Sequence, residues 1–186
     1  MPQEPTRTDV HSSPDLDAIH AELSRFRAGF STLLMATCAL DGEPDASYAP
    51  YLEVGGDFYV FVSELSTHTA NLIETGRVSV LFIEDEASAA HAFVRRRLTF
   101  RCGVEEVARG SDMHDSVLDG LETRFGGLVA TLRALPDFHL LRLRPERGLY
   151  VKGFGKAFAI DDVQLARIRH VRESGRRDVP RGDAAT

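Results

Sequence analysis

Two histidines, one aspartate and a short hydroxyl-rich segment are the residues of this sequence best suited to binding a metal or an anion. His68 follows Ser66 and Thr67 in the segment STHTANL, and His170 lies near the C-terminus. A neutral imidazole is a common ligand of transition metals. A carboxylate such as Asp137 can strengthen that ligand by accepting a hydrogen bond from its second ring nitrogen. These residues are therefore the first candidates for a ligand site.

Each of these residues also has an ordinary structural interpretation. Ser66 or Thr67 could cap a helix, with His68 merely exposed, instead of offering hydroxyl and backbone N–H groups to an anion. His170 could be an exposed histidine of a C-terminal helix, and Asp137 could be a turn residue. Both interpretations stay open at the level of the sequence.

Basic side chains form a second group of candidates. Arg95, Arg96 and Arg97 are contiguous, and Lys156 follows two glycines in GFGKAF. Guanidinium groups match the geometry of carboxylates and phosphates, and glycines allow a backbone to approach a ligand closely. The alternatives are a charged edge strand that discourages aggregation and a solvated lysine at a bend of the sheet.

Composition and motifs argue against several other classes of function. The net charge of −6 is unlike that of a general nucleic-acid binder, and no apolar run approaches the roughly 18 residues of a membrane span. The sequence contains no nucleophile motif of the G-x-S-x-G kind and no dinucleotide fingerprint. The acidic run 84–86 is typical of a solvated loop rather than a metal cluster.

Cysteine content and the two termini predict a reduced, cytoplasmic protein with one domain. Cys38 and Cys102 lie in apolar, strand-like runs and are predicted to be buried free thiols, although a disulfide between two strands stays possible in principle. The N-terminus lacks the apolar centre of a signal peptide. We expect a disordered lead over 1–14, one domain over 15–171 and a flexible tail over 172–186.

Apolar periodicity and turn residues predict a largely antiparallel β protein. The predicted strands cover 31–40, 45–54, 57–63, 77–86, 95–108 and 138–145, with a further strand pair over 146–160. Asp41-Gly42 and Gly55-Gly56 predict tight hairpin turns. The strand over 77–86 is expected to be buried on both sides, with Leu81, like Phe61, in the core.

Helical spacing and capping residues predict a first helix that is capped by Ser13, begins at Pro14 and stops at Gly29. Further helices are predicted over 66–76, 111–136 and 161–171, the second of these broken at Gly126-Gly127. Helices inserted among short antiparallel strands predict a small β-barrel with helical caps, in the mainly β or α+β class. A barrel of this kind leaves apolar sheet surface that a second copy commonly covers, so we expect a homodimer.

Several ordered segments resemble the haem-utilisation family of split barrels, whose relatives include the pyridoxamine-phosphate oxidases. The segments are SYAPY, FYVFVSELSTHTANL, SVLFIEDEA, RRRLTFRC, PDFHLLRLRPERGLYVKGFGKAF and IRHV, which together span residues from about 20 to about 170. The resemblance implies a six-stranded split β-barrel, a homodimer and a cofactor held at the interface. In haem-binding members that cofactor is haem, and in the oxidase relatives it is FMN.

The resemblance also implies roles for particular residues. Haem-binding members use a histidine near the C-terminus as the axial ligand, in a Gly-His-rich tail, and the aspartate of the PDF motif orients it across the interface. Here Arg176-Arg177 follow Ser174-Gly175, in place of Gly-His. His170 is therefore the late histidine that could act as the ligand, and Asp137 is the aspartate of the PDF motif. The segment 66–68, the arginines 95–97 and Lys156 would contact an anionic cofactor.

Three hypotheses for the function follow. The first is a haem-binding protein with haem-oxygenase-like degradation of its ligand, and the second is an FMN-dependent oxidoreductase. The third is a non-enzymatic dimeric barrel that binds a ligand or has lost its site. Partners are accordingly a second copy of the chain and a tetrapyrrole or flavin, without nucleic acid or membrane.

Overall fold

The computed structural model describes residues 16–153, 156–161 and 168–171. Its strands are β1 (Thr32–Cys38), β2 (Pro44–Val54), β3 (Asp57–Ser63), β4 (Arg77–Ile83), β5 (Arg97–Glu106), β6 (Phe138–Val151), β7 (Ala157–Ile160) and β8 (Ile168–His170). Its helices are α1 (Leu16–Ala28), α2 (Thr67–Thr75), α3 (Asp112–Phe125) and α4 (Leu128–Arg133). Short 3-10 turns at Glu86–Ser88 and Ala92–Val94 lie between β4 and β5.

The strands form one antiparallel sheet in the order β3-β2-β1-β4-β5-β6-β7-β8, and an added pairing of β3 with β6 closes it. The closed part is a six-stranded barrel, which confirms the predicted fold class. The long strand β6 makes the split: its first half pairs with β3 and β5, and its second half pairs with β5 and β7. Strands β7 and β8 therefore extend the sheet beyond the barrel.

Two tight turns set the register of the first three strands, as the sequence predicts. Gly55 and Gly56 join β2 to β3 with φ values of 63° and 91°, in the left-handed region that glycine adopts without steric cost. The turn at Asp41-Gly42 similarly places Cys38 opposite Pro44 and Leu34 opposite Tyr48. Side chains on the three strands thus alternate in phase between the barrel interior and its outer face.

The barrel interior is an aromatic core closed at one end by α1. Phe82 is 1% exposed, and its ring centroid lies 5.5 to 5.6 Å from those of Phe30, Tyr51 and Phe58. Helix α1 adds Leu23 and other apolar residues from one face of its helical repeat. A second, smaller cluster packs α3 against the outside of β3 and β6.

Strand β4 is buried on one face only, so the prediction that both faces are buried is wrong. Val80 and Phe82 point inward, whereas Leu81 lies half-buried on the outer face of the sheet. A strand within a barrel has a core side and an outer side, and the outer side of β4 carries Leu81 and Ile83 besides Arg77 and Ser79. Phe61, also predicted as core, is half-buried and packs against the α3 cluster.

The C-terminal helix predicted over 161–171 is also wrong where the structure describes it. Residues 168–170 form β8, which pairs with β7 and completes the extension of the sheet. Helical spacing in this segment was misleading, because pairing with the preceding strand β7 outweighs local propensity. Residues 162–167 lie outside the described part of the chain, as do the predicted lead 1–14 and the predicted tail 172–186.

The two cysteines differ in environment, which corrects half of the prediction. Both are free, but Cys38 is exposed on the outer face of β1, since its position in the strand alternates away from the core. Cys102 is buried, and burial raises the pKa of its thiol to about 12. Among the helices of the described ranges, none is long and apolar enough to cross a membrane.

Candidate functional site

Asp137 is fixed in the loop before β6 by the loop that follows β3. The Ser63 hydroxyl donates a hydrogen bond of 2.9 Å to Oδ2 of Asp137, and the Glu64 N–H donates one of 2.9 Å to its carbonyl oxygen. Because these two loops are joined, Asp137 and the hydroxyl-rich segment 66–68 lie at the same end of the barrel. The structure thus brings together two of the predicted groups.

Arg109 holds the Asp137 loop from its other side. Its guanidinium donates to the carbonyl oxygens of Leu135 at 3.0 Å, Phe138 at 2.7 Å and Arg133 at 3.3 Å. The loop between α4 and β6 therefore has its exposed carbonyl groups satisfied by one side chain. Arg109 was not singled out from the sequence, where nothing connects it with residues more than twenty positions away.

Helix α2 begins at the segment 66–68 and rests on the ends of β1 and β2. Ser66 occupies the N-cap position, but its side chain makes no capping hydrogen bond, unlike the predicted cap. Thr67 is exposed, and the Thr69 hydroxyl donates to the carbonyl oxygen of Ser63 at 2.6 Å. The hydroxyl groups of Ser66 and Thr67 are thus not used in stabilising the helix start.

His68 is half-buried where α2 meets β2. Burial lowers the pKa of its imidazole, and the nearby Asp45 carboxylate opposes that effect. Asp45 in turn accepts a hydrogen bond of 3.3 Å from Thr37, whose hydroxyl accepts one of 3.1 Å from Asn71. With its pKa held below the ordinary value of about 6.5, His68 is mostly neutral at pH 7. A neutral imidazole can accept a hydrogen bond or bind a metal.

His139 joins three strands through a pair of carboxylates. Its Nδ1 lies 2.6 Å from Oε1 of Glu106, and its Nε2 lies 2.8 Å from Oε1 of Glu64. The two carboxylates raise the pKa of His139, Glu106 first and Glu64 second. This clamp joins the end of β5, the start of β6 and the loop after β3, two residues from Asp137.

Arg95 and Arg96 precede β5 and are engaged by acidic residues of the β4–β5 connection. Arg95 donates to the carbonyl oxygen of Glu84 at 2.8 Å and pairs with Glu86 at 2.9 Å. Arg96 pairs with Glu84 at 2.6 Å and stacks on the Phe26 ring, with 5.4 Å between its Cζ and the centroid. These two arginines therefore fasten the connection to the barrel. Within the acidic run 84–86, Glu84 and Glu86 pair with these arginines, whereas the exposed Asp85 accepts a hydrogen bond from the Ala87 N–H.

Arg97, Lys156 and His170 lie at the α1 end of the sheet. Arg97 pairs in register with Ile83 and Val151, and Lys156 is exposed at the hairpin between β6 and β7. The backbone of His170 pairs with Phe158, and its side chain lies outside the described part of the chain. Neither Arg97 nor Lys156 makes an ion pair with any described residue.

The predicted site residues therefore fall into two groups at opposite ends of one subunit. Asp137 and the segment 66–68 lie at the α2 end, whereas Arg95, Arg96, Arg97, Lys156 and the backbone of His170 lie at the α1 end. Arg97 and Gly103, the latter beside the end of α2, are separated by about 20 Å along β5. One chain does not bring the two groups together.

The outer face of the sheet carries a row of four apolar side chains and one threonine between these two groups. In register, Tyr48 lies beside Leu34, Leu34 beside Leu81, Leu81 beside Thr99, and Thr99 beside Leu149. We call these five residues the apolar row. Tyr48 is 65% exposed, Leu34 is 43% exposed and Leu149 is 41% exposed. Monomeric proteins rarely expose several large apolar side chains in one patch.

A basic row lies directly beside the apolar row. Arg101 is opposite Arg147 and also opposite Ser79, and these residues line an open cleft of about 820 Å³ next to the C-terminal end of α2. Arg101 lies between the buried residues Phe100 and Cys102 of β5, so its side chain alternates to the outer face. The sequence did not identify Arg147 as its neighbour, because a bulge between Arg101 and Cys102 shifts the register. Among the described residues, no group of three or more His, Cys, Asp or Glu side chains could hold a metal ion.

Comparison with known proteins places this architecture among split barrels. A family model described as pyridoxamine 5'-phosphate oxidase matches residues 19–152. Among curated proteins, heme oxygenase HutZ of Vibrio cholerae is 37% identical over 164 residues, which cover 88% of this chain and 93% of that protein.

Two solved structures are similar to this chain over most of its length. The structure of HutZ, described as a heme storage protein from Vibrio cholerae, has a TM-score of 0.68 and 40% identity, covering 73% of this chain and 95% of that one. Campylobacter jejuni ChuZ has a TM-score of 0.77 and 33% identity, covering 89% of this chain and 67% of that one.

Proposed function

Since the chain belongs to the pyridoxamine 5'-phosphate oxidase family, we propose that it is a cytoplasmic homodimer that binds haem between its two barrels and degrades it. The observation that carries the proposal is the apolar row with unpaired arginines beside it. The similarity to a protein named heme oxygenase gives the ligand class and the reaction class. The free cysteines are in keeping with a reducing compartment.

The homodimer is supported by the shape of the outer face. Exposed Tyr48 and Leu34 are neighbours on β2 and β1, and the row continues through Leu81 and Thr99 to exposed Leu149 on β6. Apolar patches of this kind are the usual mark of a contact surface. A second copy supplies the same patch, which gives a self-complementary two-fold interface. The exposed patch would then be removed from water on both subunits.

The residues present fit a haem molecule at the margin of this interface. The porphyrin is a flat apolar ring with two carboxylates at one edge, so it needs apolar walls, cationic groups at one side and an axial ligand. The apolar row offers the walls, and Arg97, Arg101 and Arg147 are arginines without acidic partners among the described residues. His170 would be the axial ligand, as implied by resemblance to haem-binding relatives.

Asp137 would orient that ligand across the interface. Asp137 and His170 lie at opposite ends of β6 in one subunit, so a hydrogen bond between them requires two subunits. The Asp137 carboxylate keeps one lone-pair side for an imidazole while accepting a hydrogen bond from Ser63. A carboxylate on the second imidazole nitrogen would fix the tautomer and make the histidine a stronger ligand.

Haem, when bound, supplies the iron at which oxygen chemistry on the porphyrin takes place. The chain would bind and orient the ring, exclude bulk water through the apolar row, and hold the axial imidazole through Asp137. An electron donor from outside the protein would be needed. His68, Ser66 and Thr67 would contact the cofactor from the α2 end of the barrel, and Lys156 would contact it from the α1 end, as the resemblance implies.

Haemin titration of the purified full-length protein tests this proposal. We expect a sharp Soret band that saturates near one haem per subunit, weakened in His170→Ala, and loss of that band when a reductant and oxygen are supplied. His20→Ala, which changes a histidine of α1, is the matched control and should behave like the wild type. Absence of saturable binding would refute the proposal, whereas binding without turnover would identify a non-enzymatic binding barrel.

FMN is the second candidate, and one observation favours it. The Ser66 hydroxyl at the N-terminus of α2 makes no capping hydrogen bond, so it and the helix N–H groups are available to a phosphate. The family model is itself named for an oxidase of this type. A yellow preparation, or saturable quenching of FMN fluorescence without any haemin binding, would establish the flavin alternative.

A further inference from the structure

We propose that Arg101 and Arg147 form the carboxylate-binding end of the ligand cleft, where they hold the two carboxylates of the porphyrin. The inference rests on the haem-binding function proposed above and names the part of the site that recognises charge. It assigns this role to a pair of residues that sequence reasoning did not select. By contrast, Arg95 and Arg96 are each already paired with an acidic residue, Glu86 and Glu84 respectively.

The first step is the geometry of the pair. Arg101 on β5 and Arg147 on β6 are directly opposite in the antiparallel register, and both are exposed on the outer face. Opposite positions place the two Cβ atoms about 5 Å apart, so two guanidinium groups stand side by side above the sheet. Like charges in this arrangement repel each other and destabilise the pairing.

The second step is that this repulsion is not relieved within the described part of the chain. Neither Arg101 nor Arg147 pairs with a carboxylate there. Most other arginines are engaged by carboxylates, namely Arg27, Arg95, Arg96, Arg133, Arg142, Arg144 and Arg169. An anion shared by the pair would remove the repulsion and satisfy both guanidinium groups.

The third step is the cleft above the pair. It has a volume of about 820 Å³ and is lined by Arg77 and Ser79 as well as by the two arginines. Glu74 and Glu146 also line it, so basic groups exceed acidic ones by one. The excess is small, which favours an anion of low charge held by direct contacts over a highly charged polyanion.

The fourth step is the distance to the apolar row. Arg101 is two residues from Thr99 on β5, and Arg147 is two residues from Leu149 on β6. Two residues of a strand span about 7 Å, and the side chains point to the same face. A ring lying on the apolar row would therefore have its edge at the arginine pair. A flat apolar body with carboxylates at one edge matches this arrangement, and haem has that form.

The test compares haemin with haemin dimethyl ester, in which both carboxylates are blocked. We expect the full-length wild-type protein to bind haemin at least about tenfold more tightly than the ester, because each charge-assisted contact is lost in the ester. Arg101→Gln, Arg147→Gln and the double variant should bind haemin about tenfold more weakly, with little change in ester binding. Arg144→Gln, which removes an arginine of β6 that pairs with Glu105, is the matched control and should keep the preference for haemin.

Stability measurements guard against a merely structural effect. Without ligand, the melting temperature of the double variant should equal or exceed that of the wild type, since a like-charge pair is removed. The assignment fails if the wild type binds haemin saturably but the variants keep the same preference over the ester, or if they melt well below the wild type. If the wild type binds no haemin at all, the proposed function itself fails.

Discussion

The Asp137 carboxylate depends on one hydroxyl group for its orientation. Ser63 at the end of β3 donates to Asp137 Oδ2, and its own oxygen accepts a hydrogen bond of 3.2 Å from the Leu65 N–H. Ser63 therefore fixes the orientation of the Asp137 carboxylate relative to the end of β3. It is a positioning residue, because it acts through Asp137 and not on a ligand.

We predict that Ser63→Ala lowers haemin affinity by about tenfold, because outer-shell partners of a metal ligand commonly contribute that much. The ferric Soret maximum should shift as well, since the axial histidine loses its fixed orientation. Absorbance titration measures both. Ser63→Thr keeps the hydroxyl and suits a strand, so it should restore affinity and spectrum. An alanine variant with an unchanged spectrum would contradict this role for Ser63.

At the scale of elements, β3, β5 and β6 are fastened near the Asp137 loop by charged side chains as well as by backbone hydrogen bonds. His139 lies between Glu64 and Glu106, and Arg142 donates to Asp57 at 2.7 Å and pairs with it. Both contacts lie on the part of β6 that closes the barrel. The closure is thus partly electrostatic, and part of it depends on His139, whose pKa is raised by hydrogen bonds to Glu106 and Glu64.

The stabilising effect of His139 should depend on pH with a definite sign. Folding raises its pKa, through hydrogen bonds to Glu106 and then Glu64, above the ordinary value of about 6.5. Its contribution is therefore complete below about pH 6.5 and is lost as the pH rises through the higher folded pKa. Denaturant unfolding of wild type and His139→Gln from pH 5.5 to 8.5 should show their stability difference shrinking as pH rises.

The double variant Glu64→Gln and Glu106→Gln is the control for the His139 clamp. It removes the charges that raise the pKa of His139, so the slope of stability against pH should become shallower. A stability difference that stays constant or grows toward high pH would show that His139 is not held in its charged form.

At the scale of the whole molecule, the proposed ligand site depends on whether two barrels associate through the outer face of the sheet. The candidate residues at the α2 end and at the α1 end are too far apart to meet in one chain. A two-fold dimer formed through the apolar row would place the α2 end of one subunit near the α1 end of the other. The oligomeric state is therefore a condition of the proposed function.

Leu34→Lys should convert the dimer to a monomer. Leu34 occupies the apolar row and is already 43% exposed, so a lysine is tolerated in a single subunit but would place a charge in the interface. Size-exclusion chromatography with light scattering measures the mass. Leu40→Lys changes a leucine that is 75% exposed outside the row, and it should remain dimeric. A monomeric wild type would contradict the proposed dimer.

Local signals in the sequence determined most of the barrel. Asp41-Gly42 and Gly55-Gly56 specify the first two hairpins, the alternation of β5 assigns Leu98 and Arg101 to opposite faces, and Gly126-Gly127 separates α3 from α4. Turn chemistry and side-chain periodicity act over a few residues, so one chain segment contains all the information needed. The quoted family motifs likewise gave the split barrel.

Only the tertiary structure decided which side chains are neighbours and which are already engaged. It paired Arg95 with Glu86 and Arg96 with Glu84, and it placed Arg147 opposite Arg101 next to a β-bulge. It also showed that residues 168–170 form a strand and that Leu81 lies on the outer face. Each of these outcomes depends on how strands and their connections pair with one another, and a shift of one residue in that register reverses the face of every side chain.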